Sequence, residues 1–160
     1  MSEANSSPTF TGAKSTFTFR SERLLGCKVK NLDEEQLDIQ PSGFSNTIHW
    51  HVGHMLTVNE LGLFDFPNNS EHLPQRYESL FAPGTKPADW PNDVPSVSEL
   101  SEQLTNQLDR IKQIPVEKFE EKLPESMWGA TTYGELAAVA AFHEGHHIGQ
   151  INAMKKLLTK

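Results

Sequence analysis

Apolar side chains recur every three or four residues along several stretches of this chain, the spacing that buries one face of an α-helix. The clearest run covers residues 97–114; it follows a capping box at Ser96–Glu99 and stops at Pro115. Another run covers residues 133–158 and follows Thr132–Glu135, which matches the same capping-box pattern. We therefore predict two long helices in the C-terminal half.

The N-terminal half carries weaker helical patterns. Residues 46–64 place their apolar side chains on one broad arc, and Ser45 or Asn46 is the expected N-cap. Residues 14–31 show a moderate amphipathic pattern, and residues 33–36 suit a single helical turn. These patterns add two helices to the two predicted above.

Two long connections separate the predicted helices. Residues 67–95 contain six prolines, and we expect them to form a cap over one end of the domain, with a short helix near residues 71–80. Residues 116–130 form the other connection, and no alternation of apolar and polar residues predicts a strand there. The expected fold is an all-α four-helix bundle spanning residues 13–160, with long connections between helices 2–3 and 3–4, after a flexible tail over residues 1–12.

Histidines cluster in two of the predicted helices. His143 and His147 are four residues apart within the apolar stripe of the last helix, so their imidazoles should stack on one core-facing side. In the second helix His54 shares an apolar face, His51 lies at the border of the apolar arc, and His49 tends toward the polar side. Two of the predicted helices thus point imidazoles into the same bundle.

Two imidazoles from one helix and one from another can hold a divalent metal ion and leave a coordination position open. We interpret His54, His143 and His147 as the metal ligands, and Gln150, on the same stripe as the last two, as a contact to a bound cofactor or substrate. A buried histidine is more often a hydrogen-bonded structural residue than a ligand, so a structural role stays open as an alternative. The remaining histidines receive no role.

Composition narrows the choice of partners. The net charge of −7 and the pI of about 5.4 argue against nucleic acid, which requires a concentrated basic surface. Cys27 is the only cysteine, which excludes an internal disulfide and disfavours a cysteine-based zinc site. No stretch reaches the ~18 apolar residues of a membrane helix, and the N-terminus lacks the pattern of a signal peptide. We therefore expect a cytoplasmic protein with no membrane partner.

Three motifs resemble those of the DinB-like superfamily, four-helix metal proteins related to the bacillithiol transferases. Residues 46–55 contain Trp-x-x-Gly-His, residues 83–87 read Pro-Gly-Thr-Lys-Pro, and residues 143–151 contain His-x-x-x-His-x-Gly-Gln. The resemblance runs from about residue 15 to residue 158. It implies a site for zinc or nickel whose ligands, by matching position, are His54, His143 and His147. Because members are frequently dimers, it also implies a homodimer.

A three-histidine metal site with an open position supports two reactions. It can activate water for hydrolysis, with Glu144 as the base, because His143-Glu144 and His147 match the His-Glu-x-x-His pattern of metal hydrolases. It can instead activate a low-molecular thiol, bacillithiol-like, for transfer to an electrophilic small-molecule substrate, which needs no separate base. The sequence favours thiol transfer, with metal-dependent hydrolysis as the alternative. A non-catalytic bundle that binds a metal or a small ligand is the third interpretation.

Overall fold

Helices dominate the part of the chain that the structure describes. The computed structural model describes residues 32–64, 66 and 70–159. Its mostly helical content confirms the all-α class predicted from the sequence. The tail over residues 1–12, the helix expected over residues 14–31 and the single cysteine, Cys27, lie outside the described residues.

The described elements follow one another in a simple order. The helices are α1 (Glu34–Leu37), α2 (Ile48–Leu63), α3 (Arg76–Phe81), α4 (Val97–Gln113) and α5 (Tyr133–Leu158). Short 3-10 turns occur at Pro87–Asp89 and Val116–Glu120, and the strands β1 (Lys122–Met127) and β2 (Ala130–Thr132) precede α5. No helix within the described ranges combines the length and the apolar character needed to cross a membrane.

The helix starts follow from local capping chemistry. The Ser96 hydroxyl accepts from the backbone N–H of Glu99, whose carboxylate accepts from the Ser96 N–H, so the predicted capping box of α4 is present. The box predicted for α5 is only half formed. Thr132 accepts from the N–H of Glu135, but the Glu135 carboxylate accepts from the backbone and hydroxyl of Thr131 instead.

The start of α2 differs from the prediction by one residue. Thr47, rather than Ser45 or Asn46, is the N-cap, because its hydroxyl accepts from the backbone N–H of Trp50 at 3.1 Å. All three residues are acceptable caps, so the sequence alone did not discriminate among them. The predicted turn at residues 33–36 is present as α1, which opens with a capping box from Asp33.

The connection over residues 116–130 contains a hairpin that the sequence did not predict. Strands β1 and β2 pair antiparallel, with Lys122 opposite Thr132 and Met127 opposite Ala130. The turn residues Trp128 and Gly129 both have positive φ, 51° and 84°, as a type I′ hairpin turn requires. The sequence predicted no strand here, because residues 122–127 show little alternation of apolar and polar side chains.

Helix α2 is the central element, and it packs against α3, α4 and α5. Every residue of α2 except Leu61 is buried, so this helix has no solvent-facing side. Its apolar residues belong to a core that also draws on α3, α4 and α5, including Ile48, Met55, Leu56, Phe81, Leu100, Ile151 and Met154. Polar side chains on α2 are therefore held inside the bundle, where each needs a partner.

Candidate metal centre

Helices α2 and α5 bring three histidines together inside the bundle. His54 on α2 and His143 and His147 on α5 each offer a ring nitrogen, and these nitrogens all lie within 4.8 Å of one another. The Nε2 of His143 stands 3.1 Å from the Nε2 of His54 and 2.9 Å from that of His147. His54 and His147 are buried and His143 is half-buried, so the cluster lies just under the surface.

A backbone carbonyl fixes the tautomer of His54. Its Nδ1 lies 2.6 Å from the carbonyl oxygen of Phe81, the last residue of α3. Because a carbonyl only accepts, Nδ1 must carry a proton and donate it. In the neutral ring the Nε2 of His54 is then a lone pair aimed at His143, as a metal ligand requires.

The segment after α3 also holds the ring of His54 in place. The indole of Trp50 stacks on His54, with ring centroids 4.3 Å apart and planes 14° from parallel. Trp50 Nε1 donates to the hydroxyl of Thr85 at 2.8 Å, and the single proton of that hydroxyl is shared between two carbonyls at the end of α3, those of Leu80 and Ala82. The motif at residues 83–87 therefore orients the site through Thr85, a contact that the sequence pattern alone did not reveal.

His51 supports His147 from behind. The Nδ1 atoms of the two rings are 2.8 Å apart, and both rings are buried. One of the two nitrogens must donate and the other accept. A lone pair on Nε2 of His147 requires that His147 donates from Nδ1 and that His51 accepts, so in this arrangement His51 would hold the tautomer that a metal ligand needs.

Burial keeps the cluster neutral. Burial, followed by the proximity of the other imidazoles, lowers the pKa of His51 and of His143 to about 4 and that of His147 to about 2. Burial also lowers the pKa of His54, opposed by its hydrogen bond to Phe81. At neutral pH these rings carry no charge, so their lone pairs are available without displacement of a proton.

The donor set fits a divalent cation. Imidazole nitrogens bind zinc at about 2.0–2.1 Å, so two of them in a tetrahedral site stand about 3.3 Å apart. The Nε2 separations of 2.9 and 3.1 Å come close to that spacing. Hydrogen bonds among the three Nε2 atoms cannot satisfy all of them, because each Nε2 either carries a proton or offers a lone pair and cannot do both. A cation at their centre would satisfy all three lone pairs at once.

Two buried ring nitrogens of this group lack a protein partner. Within residues 32–64, 66 and 70–159, neither His51 Nε2 nor His143 Nδ1 has a hydrogen-bond partner. Buried polar atoms without partners are rare in native structures and call for an explanation. If His143 Nε2 and His51 Nδ1 are the lone pairs, His143 Nδ1 and His51 Nε2 carry the N–H groups, so both are donors without an acceptor among the described residues.

His49 is placed differently from the prediction. The sequence pattern placed it toward the polar side of α2, but the ring is buried because α2 has no polar side. Its Nδ1 lies 2.7 Å from a carboxylate oxygen of Asp38, and its Nε2 lies 2.8 Å from the carbonyl of Pro95. His49 thus joins the cap to α2 and is not part of the cluster.

Other polar residues flank the site without entering the cluster of ring nitrogens. Gln150 is half-buried, and its Nε2 lies 2.6 Å from Nε2 of His146, which is exposed. His72, in the connection between α2 and α3, is also exposed. Glu144 is buried, and its Oε2 accepts from Nδ2 of Asn59 at 3.3 Å across the α2–α5 interface. Glu144, the candidate base named from the sequence, therefore lies in the interface between α2 and α5.

A model of the DinB superfamily matches residues 17–151, which is most of the chain. The chain belongs to the DinB superfamily. No curated protein matches it. Membership agrees with the helical fold, and together with a cluster of histidines able to hold a metal ion it supports a metal-binding DinB-like protein.

Proposed function

We propose that His54, His143 and His147 hold a divalent metal ion, zinc or nickel, and that the protein is an enzyme that transfers a low-molecular thiol to an electrophilic substrate. The convergence of the three ring nitrogens supports this proposal most directly. When bound, the metal would supply a Lewis acid that lowers the pKa of a thiol at neutral pH. Zinc and nickel both accept imidazole ligands.

The chain itself prepares the site. The carbonyl of Phe81 keeps the proton of His54 on Nδ1, and His51 accepts the corresponding proton of His147. The stacked ring of Trp50 covers one face of His54 and excludes water from it. His143 is the half-buried member of the three, so reactants would reach the cluster from its side.

In the proposed reaction a C–S bond forms between the thiol sulfur and the electrophilic carbon, while the bond from that carbon to its leaving group breaks. The leaving group departs with the electron pair, and the thiol proton passes to solvent. This chemistry needs no carboxylate base beside the metal. Glu144, the candidate base for hydrolysis, is buried and accepts a hydrogen bond from Asn59. Its burial therefore favours a reaction that uses no carboxylate base.

Metal analysis of the purified protein, followed by a thiol-conjugation assay, tests the proposal. We expect one divalent ion per chain and saturable conjugation of a low-molecular thiol to chlorodinitrobenzene. His147→Ala should abolish both, whereas His146→Ala and His72→Ala, which alter exposed histidines, should retain the metal. Equal metal loss in all three variants would refute the ligand assignment.

The same assay separates the alternatives. Stoichiometric metal with ester or amide hydrolysis and no conjugation would favour the hydrolase, and metal without turnover would favour a binding protein. We further propose, from the family resemblance, that the protein is a homodimer, and from its composition and charge that it is cytoplasmic, with a small-molecule substrate and no nucleic-acid partner. Sedimentation equilibrium would detect the dimer.

A further inference from the structure

An apolar cleft opens beside the histidine cluster, between the hairpin tip and the outer face of α5. Its volume is about 440 Å³, within the range of small-molecule sites. His143 lies in its wall, so the cleft and the cluster share a residue. The rest of the wall is mainly apolar and includes Val58, Pro83, Trp128, Val139 and Phe142.

Two large apolar side chains are exposed in this cleft. Phe142 is 75 % exposed and Trp128 is 46 % exposed. Single exposed apolar residues are common, but two of them on one concave wall beside a candidate metal centre are typical of a ligand site. Phe142 and His143 line the same cleft, so a molecule that contacts the ring of Phe142 also lies near the cluster.

The backbone of Trp128 adopts the left-handed conformation, which is strained for a bulky residue. Its φ of 51° is unusual for a bulky residue, and the first position of such a turn favours Asn or Gly. Its indole rests on Gly62 of α2, where an added Cβ would lie 3.3 Å from the ring. Gly62 is one turn beyond Val58, so the indole extends the apolar wall that Val58 begins.

We propose that this cleft binds the uncharged apolar part, aromatic or alkyl, of the electrophilic substrate and presents its reactive carbon beside His143. The reactive carbon in this inference rests on the proposed function, whereas binding of an apolar group in the cleft does not depend on it. Among the described residues that line the cleft, the ionisable ones are His143 and His146, so no carboxylate or ammonium group there would attract a charged substrate. A second copy of the chain is the competing occupant.

Binding of an unreactive probe, 4-fluorobenzyl alcohol, followed by 19F NMR, tests the proposal in metal-free and metal-loaded protein. We expect saturable binding in both forms and at least a tenfold loss of affinity in Phe142→Ala. Because Phe142 is largely exposed, this variant should fold normally. Leu157→Ala is the matched control, since it removes a 46 % exposed side chain from the same helix outside the cleft lining.

Trp128→Asn separates binding from hairpin structure. Asn suits the left-handed turn position, so the hairpin should be retained while affinity for the probe falls. Unchanged probe affinity in both Phe142→Ala and Trp128→Asn would overturn the proposal, even if conjugation activity were present. Probe binding without conjugation would leave the cleft standing and refute only the proposed reaction. A wild-type dimer that excludes the probe, and that Phe142→Ala converts into a probe-binding monomer, would assign the cleft to a second copy.

Discussion

Helix α2 carries two buried polar clusters, and they differ in how their hydrogen bonds are satisfied. Near its C-terminal end, Glu60 accepts two bonds from the guanidinium of Arg110, at 2.8 and 2.6 Å. It also accepts from Gln107 at 2.7 Å and from Ser70 at 2.5 Å. Burial acts to raise the pKa of Glu60, but these bonds and the Arg110 charge outweigh it and lower that pKa.

The histidine cluster, nearer the start of α2, is not satisfied in the same way. Three Nε2 atoms face one another, and the described residues provide no set of N–H groups that could satisfy them all. The Glu60 carboxylate finds its partners within the chain, as a structural group does, whereas the histidine cluster retains lone pairs that a bound cation would satisfy. Burial of polar groups is common to both regions, and only the unmet lone pairs indicate function.

The largest effect on stability should come from the Glu60 cluster. Arg110→Ala would leave a buried carboxylate without its counter-ion and should lower the free energy of unfolding by about 3–5 kcal/mol. Glu60→Leu/Arg110→Met should cost much less, because Gln107 retains its bond to the Leu56 carbonyl. Urea denaturation measures both variants.

A surface pair provides the control for that comparison. Arg76 and Asp93 form an equally short ion pair, 2.6 Å, between exposed side chains. Arg76→Ala should therefore cost only about 0–1 kcal/mol. Metal content should not change in either arginine variant. If Arg110→Ala lost the metal while remaining folded, the two clusters would not be independent.

The next effect should appear at His51. His51→Leu removes the acceptor behind His147, and metal affinity should fall by about 10–100-fold, the usual cost of losing such a supporting contact. His51→Gln, which retains an acceptor, should recover part of the loss. Competition with a chromophoric chelator measures the affinities. Equal affinities for His51→Leu and the wild type would remove His51 from the site.

Two glycines in the helices that carry the histidine cluster should change stability in opposite directions. A Cβ at Gly53 of α2 would collide with the ring of Phe81, whose carbonyl holds His54. Gly53→Ala should therefore cost about 1–3 kcal/mol and weaken metal binding. At Gly149 of α5 a Cβ meets nothing within 4 Å, so Gly149→Ala should stabilise by about 0.5–1 kcal/mol. Thermal denaturation measures the stability of both variants. A stabilising Gly53→Ala would show that the ring of Phe81 can move aside for the added methyl group.

The two clusters should also begin to lose stability at different pH values, which is the most gradual effect. The histidine pKa values lie below the unfolded value of 6.5, so the unfolded metal-free chain binds more protons. Stability should therefore fall as pH drops below 6.5, down to about 4 for His51 and His143 and down to about 2 for His147. The pKa of Glu60 lies below 4.5, so its contribution is lost only as pH falls below that value.

Urea denaturation of metal-free protein across this pH range tests the separation. His143→Leu should reduce the loss between pH 6.5 and about 4 and leave the loss due to Glu60 below pH 4.5 in place, because it removes a buried ring whose pKa is lowered to about 4. A profile that is level from pH 6.5 to 4 would contradict the buried, neutral state of the histidines.

Much of the fold could be predicted because its signals are local. Ser96 and Glu99 define the start of α4, and Pro115 limits its end. The hairpin could not be predicted for two reasons. Leu123 is the one buried residue of β1, so the strand shows no alternation of apolar and polar residues, and Trp128-Gly129 is not a usual turn dipeptide. Its formation depends on packing of β1 and β2 against the start of α5.

The site was predictable only as far as one helix can specify it. The spacing of His143 and His147 places both on one face of α5, and a helical wheel adds His54 as a buried residue. The helical wheel misplaced His49, because α2 is buried on every side and has no polar face. The roles of Phe81 and His51 depend on how α3 and α5 pack against α2, which no periodicity in the sequence encodes.

X-ray absorption spectroscopy of the protein loaded with one equivalent of zinc tests the central claim most directly. We expect scattering from three imidazole rings, with nitrogens at about 2.0–2.1 Å from the metal, and loss of that spectrum in His147→Ala but not in His146→Ala. Zinc that remains unbound, a spectrum with fewer than three imidazoles, or an unchanged spectrum in His147→Ala would contradict a metal centre formed by His54, His143 and His147.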